Sequence, residues 1–175
     1  NYKQPVSTGW SSLDECYKVM PSTFTVVTGI PNHGKSNFID SLLLNLAQKE
    51  GWRFAVFSPE HSTANHLRRL AEKYVQRPFD VGLTQRMTEQ ELAKSLDFLN
   101  EHFFFINSEG IPTIDWLLER AKLICARYGV NGLLIDPYNE ISADRKEGKR
   151  EDEHIRDLIS KCKHFSKTHD QAIWL

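Results

Sequence analysis

Gly29-Ile30-Pro31-Asn32-His33-Gly34-Lys35-Ser36 decides the reading of this chain. The stretch satisfies G-x-x-x-x-G-K-[ST], the pattern of a phosphate-binding loop. Ahead of it, Phe24-Thr25-Val26-Val27-Thr28 is a β-branched, apolar run that predicts a buried strand. Behind it, residues 37–46 predict an amphipathic helix rich in leucine. Glycines let the backbone curl so that successive N–H groups face one phosphate chain, and the helix N-terminus adds positive potential. Lys35 can then reach the β- and γ-phosphates, and the Ser36 hydroxyl can ligate Mg²⁺. A chance match in a chain of this size is on the order of 1%, and the strand–loop–helix frame lowers it further. The chain reads as a nucleotide-binding protein.

Working outward, 175 residues suit one α/β domain with a real hydrophobic core. Apolar residues at 40% and charged residues at 26% are ordinary for a soluble globule. The net charge of −1 neither demands nor excludes a nucleic-acid partner, because a small basic face can hide within it. No run of membrane-spanning length and no signal-peptide pattern is present. The expected compartment is therefore the cytosol, bacterial or phage-encoded, or an organelle matrix. Cys16, Cys125 and Cys162 lack metal-ligand spacing and read as small apolar side chains in a reducing environment. The chain begins with Asn and stops inside an apolar run, 171–175, so both ends read as cut from a longer protein.

Alternating strand and helix signals organise the rest. Residues 1–21 form a lead-in, with a short capped helix expected over 11–17. Residues 22–175 form the nucleotide-binding core. Strands are expected at 53–58, 103–106, 132–136 and 171–175, and helices from 63 to about 75, 88–101, 114–128 and 152–168. Gly51 and Gly129 suit helix ends, and Thr88 with Glu91 forms a capping box. Trp52 and Trp174 are expected in the core. The order predicts an α/β fold, a mainly parallel sheet with helices on both faces. The charged run 144–154 reads as a solvated loop.

Chemistry-bearing residues follow from that frame. Leu133-Leu134-Ile135-Asp136 is an apolar strand ending in a carboxylate, which can support Mg²⁺ or simply cap the strand. Asn139 can orient water or phosphate, or serve as a turn residue. Glu60 directly follows the second strand, at the carboxyl edge where open α/β sheets bind ligands. There it can polarise water in line with a γ-phosphate, or act only as a charge at a helix N-terminus. His33 is expected to pack beside the nucleotide without a proton-transfer role. The other six histidines show no metal-ligand spacing and are expected on the surface or at caps. Arg68, Arg69 and Lys73 read as a solvated basic face.

Val6-Ser7-Thr8-Gly9-Trp10, the phosphate loop, Phe57-Ser58-Pro59-Glu60 and Leu134-Ile135-Asp136-Pro137-Tyr138-Asn139-Glu140 occur in the order found in Twinkle-type helicases. These are DnaB-like hexameric replicative helicases, often fused to a primase-related domain. Residues 114–122 also resemble the plant and bacteriophage branch. The resemblance covers nearly the whole chain, and its specificity lies in the combination of motifs. It implies a RecA-like P-loop NTPase core and ATP- and Mg²⁺-dependent 5′-to-3′ translocation on single-stranded DNA, in a hexameric ring. By that resemblance Lys35 and Glu60 are catalytic, and Ser36 and Asp136 hold the metal. Gly29, Pro31, Asn32, His33, Gly34, Lys35, Ser36, Asn37, Asp136 and Asn139 surround the nucleotide. The family's sensor residue, arginine finger and DNA-binding loops would follow residue 175, and its linker helix would precede residue 1. The 22–175 core is thus expected to be truncated on its C-terminal side and to bind nucleotide better than it hydrolyses it.

Two other readings share the loop. A RecA/KaiC-like regulatory or recombination ATPase would need no unwinding. A phosphotransferase would need an arginine-rich lid, for which 144–150 is the local candidate.

Overall fold

Side chains along the strands alternate between the two faces of the sheet, and that alternation sorts the helices into two layers. The computed structural model describes residues 4–30, 33–142 and 151–175. Strands β1 (Phe24–Thr25), β2 (Phe54–Phe57), β3 (Phe103–Phe105), β4 (Gly132–Ile135) and β5 (Ala172–Trp174) form one sheet in the order β1-β5-β4-β2-β3. Every pairing is parallel, with Phe54 opposite Gly132, Phe57 opposite Ile135 and Leu134 opposite Trp174. Parallel neighbours need crossover helices, which here are α2 (Lys35–Glu50), α3 (Thr63–Val75), α4 (Glu89–His102), α5 (Ile114–Tyr128) and α6 (Glu151–His169).

Phe54, Val56, Phe103, Leu134, Ala172 and Trp174 face a core shared with α2, α3 and α4. Ala55, Phe57, Leu133, Ile135 and Ile173 face the opposite core, closed by α5 and α6. All four residues of β2 and of β4 are buried, as central strands covered on both sides require. Gly132 is forced by this packing. A Cβ there would lie 2.7 Å from Trp174 Cζ3 and 3.0 Å from both Phe54 Cδ1 and the Ala172 carbonyl.

Helix ends follow the sequence closely. Thr88 and Glu91 form a reciprocal capping box, and Gly51 and Gly129 end α2 and α5 in the left-handed region. Trp52 and Trp174 are buried, as expected. No helix of the described residues is long and apolar enough to cross a membrane.

Several local expectations need correction. β1 is two residues long rather than five, and Val26 is 55% exposed. As an edge strand it pairs only with β5, and its ladder extends one bond further, from Val27 N–H to the Leu175 carbonyl at 2.8 Å. The helix expected over 11–17 shrinks to α1 (Ser11–Asp14), whose N-cap Trp10 makes no side-chain bond. Asp14 is engaged elsewhere, accepting from Ser7 Oγ at 2.5 Å and from Thr8 N and Oγ1 at 2.7 Å. Those bonds, the Ser7 hydroxyl foremost, hold its carboxyl below the usual range.

The 37–46 helix begins two residues earlier and is buried around most of its girth between Ile39 and Ala47. The lead-in wraps its outer side: Asn45 Nδ2 donates to the Thr8 carbonyl, Lys49 Nζ to the Gly9 carbonyl, and Trp10 stacks on Phe38 at 5.6 Å. Residues 151–154 belong to α6 rather than to a loop. The remainder of that charged run, with the 144–150 lid candidate, lies outside the described residues, as do Pro31 and Asn32.

Candidate nucleotide-binding site

Because the strands are parallel, their carboxyl ends share one edge of the sheet. β1 leads there into the phosphate loop, β2 into the turn carrying Glu60, and β4 into Asp136. Topology thus delivers the three sequence-predicted features to the edge where α/β sheets bind ligands.

Gly34 is the N-cap of α2, with φ +84 and no side-chain cap. The first N–H groups of α2 are therefore left for an anion. Among the described residues nothing lies within 4 Å of where a Gly34 Cβ would stand, and the backbone angle by itself favours glycine. Lys35 folds back across its own loop, its Nζ donating to the carbonyls of Gly29 at 3.0 Å and Ile30 at 3.3 Å. His33 donates its backbone N–H to the Ile30 carbonyl at 3.3 Å, which tightens the turn into α2. An uncapped helix start, a lysine poised above it and the half-buried Ser36 behind it together fit a phosphate chain.

Glu60 is exposed in the turn before α3, whose N-cap is Ser62, accepting from Asn65 N at 3.3 Å. Asp136 is half-buried, and its backbone N–H donates to the Phe57 carbonyl at 2.9 Å. Asn139 is exposed in a 3₁₀ turn, Tyr138–Glu140, that follows the strand. Among the described residues no three His, Cys, Asp or Glu side chains converge on a metal position. A cavity of about 850 Å³ opens elsewhere, between the 106–113 connection and Trp116, Arg120 and Leu123 of α5.

Sequence reasoning missed a polar cluster between α2 and α3. His66, expected on the surface, is buried, and its Nε2 lies 2.7 Å from Asp40 Oδ1. Arg69 Nη2 reaches Asp40 Oδ2 at 3.3 Å. Lys73 Nζ donates to Asn37 Oδ1 and, at 2.9 Å, to Ser41 Oγ. Burial pushes the Lys73 ammonium below its usual range, opposed by the Asp40 charge. The solvated basic face is therefore turned inward at two of its three residues. The outer one, Arg68, pairs with Asp80 and Glu72. The legible signal was polar residues at i, i+3 and i+7 of α3 matching others at i, i+3 and i+4 of α2.

Comparisons with known proteins agree with this fold. A family model for the DnaB-like helicase C-terminal domain matches residues 5–174. The chain is 45% identical over 175 residues to the Twinkle homolog protein, chloroplastic/mitochondrial, of Arabidopsis thaliana, covering 97% of this chain and 25% of that protein. It is 23% identical over 158 residues to a probable plasmid replicative DNA helicase of Chlamydia psittaci, covering 87% of this chain and 34% of that one. The chain thus spans about a quarter to a third of the curated relatives it matches. Among solved structures, an isolated ATPase domain superposes with a TM-score of 0.80 at 14% identity, over 98% of this chain and 62% of that one. A DnaB-like replicative helicase solved for its interactions with primase gives 0.79 at 14%, over 98% and 43%. These two establish the RecA-like fold, and the family match favours the helicase reading over a regulatory ATPase or a phosphotransferase. On the match over residues 5–174, this chain belongs to the DnaB-like helicase C-terminal domain family.

Proposed function

We propose that this chain is the ATP-binding and hydrolysing motor domain of a replicative DNA helicase that translocates 5′ to 3′ on single-stranded DNA. The observation carrying the proposal is the uncapped N-terminus of α2 beneath Gly34, Lys35 and Ser36, at the same sheet edge as Glu60 and Asp136. Backbone N–H groups of the non-proline residues between Gly29 and Asn37 cradle the phosphates. Lys35 exchanges its loop carbonyls for β- and γ-phosphate oxygens. Ser36 and Asp136 would hold Mg²⁺, which would supply charge neutralisation for the phosphates. Glu60 takes the proton of the attacking water, and Asn139 helps orient it.

Phosphoryl transfer depends on charge stabilisation around the γ-phosphate. We assign part of it to a neighbouring subunit, which makes a homo-oligomeric ring, a hexamer by the family pattern, the working unit. Single-stranded DNA and a fused or associated primase-type domain are the proposed partners. In the same reading residues 1–21 are a lead-in and residues 22–175 the core. A cytosolic or organelle-matrix compartment suits three free cysteines.

The test is ATP turnover by the full-length protein with and without single-stranded DNA, beside its Lys35→Ala variant. Lys35-dependent turnover that rises with DNA is the expected result. Turnover indifferent to DNA would transfer the domain to a regulatory ATPase.

A further inference from the structure

The α2–α3 interface carries charge where the remainder of that core is apolar. Asp40 and His66 are each only 2% exposed, inside a layer built from Leu42, Leu43, Leu46, Leu70 and Ala71. His66 Nε2 and Asp40 Oδ1 share one hydrogen bond at 2.7 Å. That leaves His66 Nδ1 buried without a partner, and Arg69 Nε is buried without one too. Of the three such side-chain atoms among the described residues, two therefore fall in this one cluster. Unsatisfied polar atoms cost stability. Replacing buried ion pairs by hydrophobic residues of similar volume is often neutral or stabilising. Stability is thus a poor reason for the cluster, and directional bonding is a better one.

The direction is informative. From α3, His66, Arg69 and Lys73 grip Asp40, Asn37 and Ser41 of α2. Asn37 directly follows Ser36 of the phosphate loop, and His66 stands one turn into the helix that Glu60 leads. His66 is also packed edge-on against Phe105 of β3 at 5.2 Å, so its ring is held from two sides. Apolar contacts would let α3 slide along α2, whereas a carboxylate bonded through both oxygens fixes one register.

We propose that Asp40 and His66, with Arg69 and Lys73, are positioning residues that lock α3 onto the phosphate-loop helix and so set Glu60 at its working distance from the γ-phosphate. The inference rests on the assignment of Glu60 made above. A misplacement of about 1 Å at a reacting group costs on the order of 100-fold in rate, so a register lock has something to protect.

The experiment uses the full-length protein with saturating single-stranded DNA, reading kcat and KM for ATP separately alongside Tm. Asp40→Asn, His66→Ala and His66→Gln are compared with Glu60→Gln and with Asp40→Asn/Glu60→Gln. Asp40→Asn should lower kcat by about 10- to 100-fold while KM stays within about twofold. His66→Gln, which keeps a donor near Nε2, should recover most of what His66→Ala loses. In the Glu60→Gln background Asp40→Asn should change the residual turnover by less than about twofold, because both act through one group. Should Asp40→Asn not fold, Arg69→Gln, at a side chain 34% exposed, carries the same comparison. A lowered Tm with kcat intact would reduce the cluster to a structural role and overturn the proposal. So would an undiminished effect of Asp40→Asn on top of Glu60→Gln. Normal turnover by Glu60→Gln itself would instead remove the Glu60 assignment, and the positioning role with it.

Discussion

Asp136 donates its backbone N–H to the carbonyl of Phe57 at 2.9 Å, one rung beyond the last residue pair of β4 and β2. The bond carries sheet order past the strands, to within three residues of Glu60. The carboxylate proposed for the metal and the strand leading to the proposed general base are thus fixed to each other by backbone. Side-chain substitutions at this edge should alter chemistry without loosening the sheet.

Glu60→Gln is the cleanest such change, since Glu60 is exposed. In the full-length protein it should keep ATP binding and lose turnover by about 10²- to 10⁴-fold. Steady-state hydrolysis beside a nucleotide-binding titration checks this. Normal turnover would leave Glu60 as a helix-terminal charge.

Lys35→Ala should abolish stabilisation by nucleotide. The wild-type protein should gain roughly 2.7 kcal/mol at 100 times Kd, read as a melting shift with Mg²⁺ and ATP. An unchanged shift in the variant would remove Lys35 from the site.

Gly132→Ala tests the centre of the sheet. The added methyl meets Trp174, Phe54 and the Ala172 carbonyl at 2.7–3.0 Å, and overpacking of that kind costs about 1–3 kcal/mol. Urea denaturation should show a lower midpoint. An unaltered midpoint would mean that the aromatic pair yields without cost.

Acid stability should depend on the α4 capping box. The Thr88 backbone N–H, then the Thr88 hydroxyl and Arg77, hold the Glu91 carboxyl below its ordinary value of 4.5. A depressed carboxylate contributes stability above its unfolded value and loses it as pH falls through the folded one. The loss therefore develops below about pH 4.5. Glu91→Gln should flatten that acid limb in a pH series of melting curves. An identical limb in the variant would remove Glu91 from the effect.

Thiol reactivity should single out Cys16, which is exposed. Burial pushes the Cys125 thiol up to about 11 and the Cys162 thiol up to about 12, so neither offers thiolate at neutral pH. One fast-reacting thiol in the folded protein is expected in a labelling time course, and three after unfolding.

The parallel α/β architecture and the edge that gathers the site were legible because both are written locally. The G-K-S loop, the apolar runs, and the helix ends at Thr88, Gly51 and Gly129 each act within a few residues. α5 was readable from Ile114 to Tyr128, since Thr113 caps one end and Gly129 the other. β1 was overread because strand length depends on its neighbour, and Val26 has apolar chemistry but no partner strand on its outer side. The Asp40–His66 pair was missed for a related reason: its helical spacing was there to read, but the contact spans 26 residues and exists only once α3 lies on α2. Polar residues on two separate helices look solvated until their faces meet.

The stack of Trp10 on Phe38 has an optical use. Trp52 and Trp174 are sealed in the core and Trp116 is half-buried on α5 in the opposite layer, whereas Trp10 is half-exposed and rests on Phe38, two residues beyond Ser36. A shift of the first turn of α2 on nucleotide binding would alter the indole's surroundings, which would make Trp10 emission a readout of the proposed phosphate loop without a dye or a labelled nucleotide.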